Sequence, residues 1–273
     1  MKKAILDGDD LAEMSPFFRG KMGSFFADLF LTILGVSRIN KVYSKLYDLE
    51  GVKFTEGWLK SLNVRYVVEN EQVLNHLPEG GFITVSNHPF GGLDGVILVD
   101  LMAKRRSNYK FMVNSLLLHV QTLSNQFVGV KPSTPKSGSS IENTGGLKQT
   151  LFHLKNGGSM GFFPAGAVAG YYHSVFKITE KDWQPTVIRL IQTAKVPVIP
   201  IYIHGRNSRY FTFLGLIHWQ LRTIRMAHEV LNKGGQVIKV SVGEIISCEE
   251  QAKYKSIDEL AAFLKAKTIE LSK

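Results

Sequence analysis

Short apolar runs alternate along the chain with longer segments that have a helix-like spacing of apolar residues. Continuous apolar or β-branched stretches bounded by glycine, proline or polar residues are typical of buried strands. The predicted strands are 64–68, 82–86, 109–113, the start of 159–170, 196–203 and 236–242. The predicted helices are 43–62, 94–106, 114–126, 144–154, 187–194 and 257–271, with a short helical turn over 71–77. This alternation predicts an α/β fold: a single domain with a mixed β-sheet wrapped by helices.

The first part of the chain differs in character from the rest. Residues 15–36 are rich in phenylalanine and leucine, have basic flanks and are interrupted by Asp28. The apolar run 25–36 is too short to span a bilayer. An aromatic-rich helix with basic flanks can lie in a membrane interface, and the same pattern suits a helix packed on the core. We divide the chain into a hydrophobic helical N-terminal arm, 1–62, and an α/β domain, 63–273.

Composition and charge limit the classes of function. The chain of 273 residues is 44% hydrophobic and 21% charged, as is typical of a globular protein. Its formal net charge is +10, and segments 104–155 and 183–240 each have one acidic residue against eight Lys and Arg. Such a surface suits anionic lipid headgroups, an acidic carrier protein or nucleic acid. No zinc-finger or aromatic-interleaved basic repeat accompanies it, so no nucleic-acid partner is expected. No Cys/His spacing suits a metal, so no metal or cofactor is expected either.

A turn capable of acid–base chemistry follows the strand predicted over 82–86. The residues Asn87-His88-Pro89-Phe90-Gly91-Gly92 are too rich in proline and glycine to continue a strand or a helix, and Asp94 opens the next helix. An imidazole titrates near neutral pH and can act as a general base. A carboxylate can orient the far ring nitrogen and balance the charge that forms. His88 and Asp94 are therefore candidate catalytic residues; the alternative is a turn histidine and a helix cap.

Two further segments combine a buried strand with a turn that suits a ligand. In 159–170 the small residues let backbone amides approach a ligand, so amides around Gly166 are candidates to hold an oxyanion; a tight core turn is the alternative. The strand predicted over 196–203 is followed by Arg206, at the strand end where parallel sheets bind ligands. A guanidinium grips phosphate or carboxylate with two hydrogen bonds, so Arg206, supported by Arg222, is a candidate anion-binding residue; surface charge is the alternative. The polar stretch 131–146 is either a lid or a surface loop.

Taken in order, these segments resemble a known family. Asn87-His88 followed by Asp94 is similar to the histidine–aspartate signature of the glycerol-3-phosphate and lysophosphatidic acid acyltransferases, the glycerolipid acyltransferase superfamily. Five residues separate His88 from Asp94, and this spacing within the sequence NHPFGGLDG resembles the bacterial hemolysin-like branch. That branch includes O-acyltransferases of ornithine and other aminoacyl lipids. Phe163-Pro164-Ala165-Gly166 resembles the third block, 196–203 the fourth, and Gly205-Arg206-Asn207-Ser208 is typical of the branch.

The chain departs from the superfamily pattern in its third block. That block usually carries a glutamate, either as Phe-Pro-Glu-Gly or, in the hemolysin-like branch, just after Phe-Pro-Ala-Gly. This chain has Ala165 and Ala167 at those two places, so the carboxylate is absent. A catalytically inactive membrane lipid-binding protein therefore stays an alternative.

The resemblance implies a glycerol-3-phosphate acyltransferase-like fold and acyl transfer from a thioester to the hydroxyl of a lysolipid. It implies catalytic roles for His88 and Asp94. The implied substrate-binding residues are Asn87, Gly91, Phe163, Pro164, Gly166, Arg206, Asn207, Ser208 and Arg222. The hydroxyl would attack the thioester directly, since Cys248 lies far from the blocks and no Gly-x-Ser-x-Gly is present.

The resemblance also implies substrates and a location. The implied acceptor is a lyso-aminolipid of the ornithine or glycine type with a free 3-hydroxyl, and lysophosphatidic acid is the alternative. The implied donor is an acyl thioester of acyl carrier protein or of coenzyme A. The implied location is the cytoplasmic face of the bacterial inner membrane, with peripheral or monotopic attachment to an anionic membrane surface.

Overall fold

Nine strands are present in the computed structural model, which describes residues 2–130, 144–172, 177–218, 222 and 225–273. They are β1 Arg65–Glu69, β2 Phe82–Ser86, β3 Tyr109–Asn114, β4 Phe127–Val130, β5 Ser159–Phe162, β6 Gly170–Tyr172, β7 Lys177–Thr179, β8 Val198–Ile203 and β9 Val237–Val242. Seven of them form one sheet in the order β1-β9-β8-β2-β5-β3-β4, and β6 and β7 form a separate antiparallel ribbon. In the large sheet β8 and β9 are antiparallel and the other neighbours are parallel, so the predicted mixed sheet is confirmed.

Helices connect the strands and pack on the sheet. They are α1 Gly8–Met14, α2 Gly20–Ile33, α3 Val36–Tyr43, α4 Gly51–Ser61, α5 Gly92–Ala103, α6 Thr144–Lys155, α7 Pro185–Ala194, α8 Arg209–Ile217, α9 Met226–Leu231, α10 Cys248–Gln251 and α11 Ile257–Glu270. Short 3-10 turns cover Pro16–Phe18, Glu71–His76, Ser115–His119 and Gln121–Gln126.

Two of the predicted helices are wrong in extent. The helix predicted over 43–62 is broken between α3 and α4, where Gly51 has a φ of 55°, in the left-handed region that a helix cannot continue through. The helix predicted over 114–126 is two 3-10 turns, because Val120 between them leaves the helical region (ψ 79°) and is itself buried. Of the loop predicted over 131–146, residues 131–143 lie outside the described part of the chain.

The core lies on both faces of the sheet, and β2 runs through its centre. Every residue of β2 is buried, as expected for a strand covered on both faces. Successive side chains of a strand point to opposite faces, so Phe82 joins the cluster formed with α4 and α5, and Ile83 joins the cluster formed with α7 and α11. The carboxyl ends of β8, β2 and β5 therefore meet at one edge of a rigid, covered sheet.

The N-terminal helices have a small core of their own. Leu11, Ala27 and Leu31 of α1 and α2 form a separate cluster, whereas Phe54 and Trp58 of α4 belong to the main core. Ile39 and Tyr43 of α3 also belong to the main core, so the change in packing falls between α2 and α3. The division of the chain at residue 62 stays a prediction. Among the described residues no single helix is long and apolar enough to cross a bilayer, although α2 and α3, bent by 85°, pass that test as a pair by length and composition alone.

Candidate active site

The turn after β2 places an imidazole against a buried carboxylate. His88 Nδ1 lies 2.9 Å from Asp94 Oδ2, and the side chain of His88 is 16% exposed whereas that of Asp94 is fully buried. The same carboxylate oxygen accepts the backbone N–H groups of Phe90 at 2.8 Å and Gly91 at 2.9 Å. Asp94 therefore fixes the turn and the ring together. We assign the Nδ1 proton from this hydrogen bond, which leaves Nε2 as the basic nitrogen.

Gly91 allows the chain to make this turn. Its φ of 96° and ψ of −129° lie where residues with a side chain are strained. A Cβ at this position would also lie 2.5 Å from Met226 Sδ on α9. The predicted importance of Gly91 thus has a conformational reason, and its contact with substrate stays a prediction.

The third-block turn packs directly on the imidazole. The ring of Phe163 stacks on that of His88, with centroids 3.8 Å apart and planes at 17°. The backbone N–H of Ala169 donates to the carbonyl of His88 at 2.9 Å. Two segments that the motifs place 75 residues apart (163 against 88) are therefore one site in the structure.

The backbone of the third block is used within the turn. Pro164 accepts a hydrogen bond from the backbone N–H of Gln184 at 2.9 Å. Gly166 has a φ of 65°, and its N–H donates to the carbonyl of Phe163 at 2.9 Å. The N–H of Gly166 itself therefore closes the turn, and the role of backbone amides around Gly166 in holding an oxyanion stays a prediction. Ala165 is buried in the core, where an ionised carboxylate would be costly.

Asn87 joins the ends of two neighbouring strands. Its side-chain amide donates to the carbonyl of Ile203 at 2.8 Å and accepts the N–H of Ile203 at 2.7 Å. The side chain is nearly fully buried, so both of its polar atoms serve the sheet. Asn87 thereby aligns the turn after β2 with the loop after β8, and a direct contact with substrate stays a prediction.

The loop after β8 is anchored by buried polar groups. Asn207 donates to the carbonyl of Phe90 at 3.4 Å. Ser208 caps α8 and binds Glu229, with its N–H 2.8 Å from Oε2 and its Oγ 2.6 Å from Oε1. Glu229 is fully buried and pairs with Lys233 at 3.6 Å. Burial lowers the pKa of Lys233, while the charge of Glu229 opposes that shift.

The two predicted arginines are placed differently. Arg206 is exposed in the loop between β8 and α8, at the same sheet edge as His88, and makes no hydrogen bond or ion pair with the described residues. Arg222 lies over the ring of Phe211 on α8, with its guanidinium carbon 5.6 Å from the ring centroid. The structure thus leaves Arg206 available for an anion and gives Arg222 a packing partner.

Three charged residues of this region were not among the candidate site residues. Glu180 accepts a hydrogen bond from the backbone N–H of His88, Glu229 holds Ser208, and Lys233 lies 5.0 Å from the ring centroid of Phe90. The sequence carries a weak signal for one of them, since Glu229 is the single acidic residue of 183–240. Nothing in the local pattern indicates Glu180, because its partner is 92 residues away.

A buried carboxylate that orients a partly exposed imidazole, at the carboxyl ends of parallel strands, is an acid–base site on an α/β scaffold. The acyltransferase family matches residues 10–273, and the chain belongs to that family. It is an enzyme that transfers acyl groups, as its resemblance to the glycerolipid acyltransferases implied.

Two curated relatives match most of the chain. The chain is 28% identical over 242 residues to the lyso-glycine lipid O-acyltransferase of Bacteroides thetaiotaomicron, covering 85% of each protein. It is 29% identical over 224 residues to the lyso-glycine lipid O-acyltransferase of Phocaeicola vulgatus, covering 79% of this chain and 76% of the relative.

A solved structure supports the fold. The 1-acyl-sn-glycerophosphate acyltransferase PlsC from Thermotoga maritima superposes with a TM-score of 0.52 at 15% identity, covering 90% of this chain and 87% of that one. At that identity the likeness concerns the fold, and it confirms the predicted glycerol-3-phosphate acyltransferase-like architecture.

Proposed function

We propose that the enzyme transfers a fatty acyl chain from an acyl thioester to the free 3-hydroxyl of a lyso-aminolipid of the glycine or ornithine type. The observation that carries the proposal is the His88–Asp94 pair at 2.9 Å, with Nε2 left unbonded among the described residues. The two relatives of lyso-glycine lipid specificity support this class of acceptor.

In the proposed reaction His88 Nε2 removes the proton of the acceptor hydroxyl as a general base. The hydroxyl oxygen attacks the carbonyl carbon of the thioester, and Asp94 stabilises the imidazolium that forms. When the tetrahedral intermediate collapses, the carbon–sulfur bond breaks and the thiolate takes the proton back from His88. The products are an ester and a free thiol, so no covalent enzyme intermediate and no cofactor are needed.

Arg206 is the proposed site for the acceptor headgroup. A lyso-glycine lipid ends in a carboxylate, and a guanidinium binds a carboxylate with two parallel hydrogen bonds. Arg206 is exposed at the edge that carries His88, and the buried pairs of Asn207 and Ser208 hold its loop in place. Arg222 would support this charge from the side of α8.

The proposed partner surface for lipid is the apolar face of the N-terminal arm. The side chains of Met22, Phe25 and Ile33 on α2 are between 64% and 74% exposed. The arm also reaches the site, because His228 on α9 hydrogen-bonds the carbonyl of Ile33 at 2.9 Å and the neighbouring Met226 packs on Gly91. Apolar aromatic helices of this kind lie in membrane interfaces, which supports monotopic attachment. The cytoplasmic face of the inner membrane is the location that we propose.

The donor that we propose is an acyl thioester of acyl carrier protein or of coenzyme A. The formal charge of +10 supports both, because the carrier protein and the coenzyme phosphates are anionic. The basic charge equally supports an anionic membrane surface.

The test is an acyl-transfer assay with purified protein, in which two donors are crossed with two acceptors. Acyl carrier protein and coenzyme A, each carrying a labelled acyl chain as a thioester, are the two donors. Each donor is offered lyso-glycine lipid and lysophosphatidic acid at equal concentration. The proposal predicts diacylated glycine lipid as the main product. Acylation of lysophosphatidic acid in preference to lyso-glycine lipid would overturn the proposed acceptor while leaving acyl transfer intact.

A further inference from the structure

We infer that Glu180 is a positioning residue of the acyl transfer: its carboxylate holds the main chain of His88 and supplies a second negative charge beside the imidazole. The inference rests on the proposed role of His88 as the base.

Four contacts fix the position of His88, two at its main chain and two at its ring. Its backbone N–H donates to Glu180 Oε1, and its carbonyl accepts the N–H of Ala169 at 2.9 Å. Its ring lies between Asp94, which bonds Nδ1, and the stacked face of Phe163. Glu180 is the charged group among these main-chain contacts, and a hydrogen bond from an amide to a carboxylate is stronger than one to a neutral acceptor.

The carboxylate of Glu180 has further contacts besides the main chain of His88. Glu180 is partly buried, and the indole Nε1 of Trp183 lies 3.5 Å from its Oε2. Burial raises the pKa of Glu180, and the backbone N–H of His88, the indole of Trp183 and the charges of His88 and Lys265 oppose that shift. The attraction between Glu180 and His88 is mutual, so the glutamate that is stabilised by a charged imidazole also stabilises the imidazolium.

Other charged and titratable groups surround the pair. Asp94 on α5 faces the ring of His88, and Lys233 interacts with Asp94 through its charge. Lys265 on α11 acts on Glu180, and the charge of Glu180 together with burial raises the pKa of Tyr202 on β8. Within the described part of the chain the carboxylates that hydrogen-bond His88 are Asp94 at the ring and Glu180 at the main chain.

Two substitutions separate the charge from the hydrogen bond. Glu180→Gln keeps an oxygen that can accept the His88 N–H and removes the charge, whereas Glu180→Ala removes both. Asp182→Asn is the matched control, because Asp182 is fully exposed two residues away, where it makes a surface ion pair with Lys265 at 3.2 Å. Thermal unfolding of each variant checks that it folds, and the near-isosteric Gln variant keeps the test valid if the Ala variant unfolds.

The readout is the pH profile of kcat and kcat/KM for acyl transfer. We expect Glu180→Gln to lower kcat by about tenfold with KM nearly unchanged. Loss of the anion destabilises the imidazolium, so the acidic limb of kcat/KM should move to lower pH. Glu180→Ala should lose about a hundredfold in kcat, because the base is also displaced, and Asp182→Asn should match the wild type.

The outcomes distinguish this inference from the proposed function. Wild-type kcat and an unmoved acidic limb in both Glu180 variants, with His88→Ala inactive, would overturn the role of Glu180 alone. A loss confined to KM would also overturn it, since Glu180 would then bind substrate instead of positioning the base. An active His88→Ala would overturn the proposed mechanism on which the inference rests.

Discussion

Helices α2 and α5 are similar in composition but differ in burial. Both are mostly apolar; α2 carries Asp28 within its apolar run, and α5 carries Asp94 at its start and Asp100 near its end. On α5 nine of the twelve residues are buried, including Asp94. On α2 three of the fourteen are buried, and the large apolar side chains of Met22, Phe25, Leu29 and Ile33 are exposed.

The two helices also differ in what they pack against, and this difference suits different roles. α5 lies between the sheet and α4, and the low-polarity surroundings strengthen the interaction of Asp94 with His88. α2 rests on α1 and on the 3-10 turn of Pro16–Phe18, and its outer face has no partner within the described part of the chain. An apolar helix that a soluble core does not cover is typical of an interaction surface. Chemistry is thus assigned to α5, and lipid contact is proposed for α2.

The largest expected effect concerns the carboxylate of α5. Asp94→Asn keeps the shape of the side chain but removes the charge that stabilises the imidazolium, so kcat should fall by about a thousandfold. The measurement is steady-state acyl transfer, with liposome binding recorded in parallel and expected to be unchanged.

The matched control for that experiment is on the same helix. Asp100 is also a buried carboxylate, bonded to Thr55 at 2.8 Å, Tyr66 at 2.6 Å and Lys104 at 2.8 Å, away from His88. Asp100→Asn should affect stability but leave kcat within about threefold of the wild type. Equal losses of kcat in the two variants would show that buried charge in general, and not the pair with His88, matters.

The next effect is on stability, and it compares the two helices with the same substitution. Leu98 on α5 is fully buried, so Leu98→Ala should reduce the free energy of unfolding by about 2–5 kcal/mol. Leu29 on α2 is 46% exposed, so Leu29→Ala should change it by about 0.5 kcal/mol or less. Urea unfolding measures both, and a large loss for Leu29→Ala would mean that its outer face is covered in the folded protein.

The smallest expected effect is on lipid binding by the arm. Phe25→Ser on α2 should weaken binding to anionic vesicles by about tenfold, because one exposed aromatic side chain no longer enters the lipid. Its kcat in detergent should stay near the wild-type value. Phe152→Ser on α6 is the control, since Phe152 is 71% exposed and Phe25 is 66% exposed. Equal weakening by both substitutions would contradict a lipid-binding role specific to the arm.

Local pattern was sufficient for the elements that hold the site. The strand predicted over 82–86 is observed at the same residues. A short apolar, β-branched run bounded by glycine and proline contains enough information for that prediction. The pairing of His88 with Asp94 was likewise accessible, because the two lie within one turn and one helix start. The third block and the loop after the fourth block each follow a strand that runs parallel to β2, so they lie at the same edge of the sheet as His88. The rule that ligands bind at the carboxyl ends of parallel strands indicates this edge from the sequence.

Long-range contacts were not accessible in the same way. Asn87 was predicted to bind substrate, and the structure shows that its amide is engaged by Ile203, 116 residues later. Glu180 carries no motif, and the ribbon of β6 and β7 that delivers it to His88 has no periodic signal. The exposure of α2 could not be separated from burial either, because α5 has the same apolar character. In each case the deciding contact joins residues far apart in the sequence.

The central claim is that His88 acts as the base for acyl transfer while lipid binding resides elsewhere. The most direct test is the His88→Ala variant. Its acyl transfer from acyl carrier protein loaded with a labelled acyl chain to lyso-glycine lipid, and its vesicle binding, are each compared with those of the wild type. The account predicts that product formation falls by about 10³-fold or more while vesicle binding is unchanged. Product formation within about tenfold of the wild type would contradict it, because the proton of the acceptor hydroxyl would then be removed by another group.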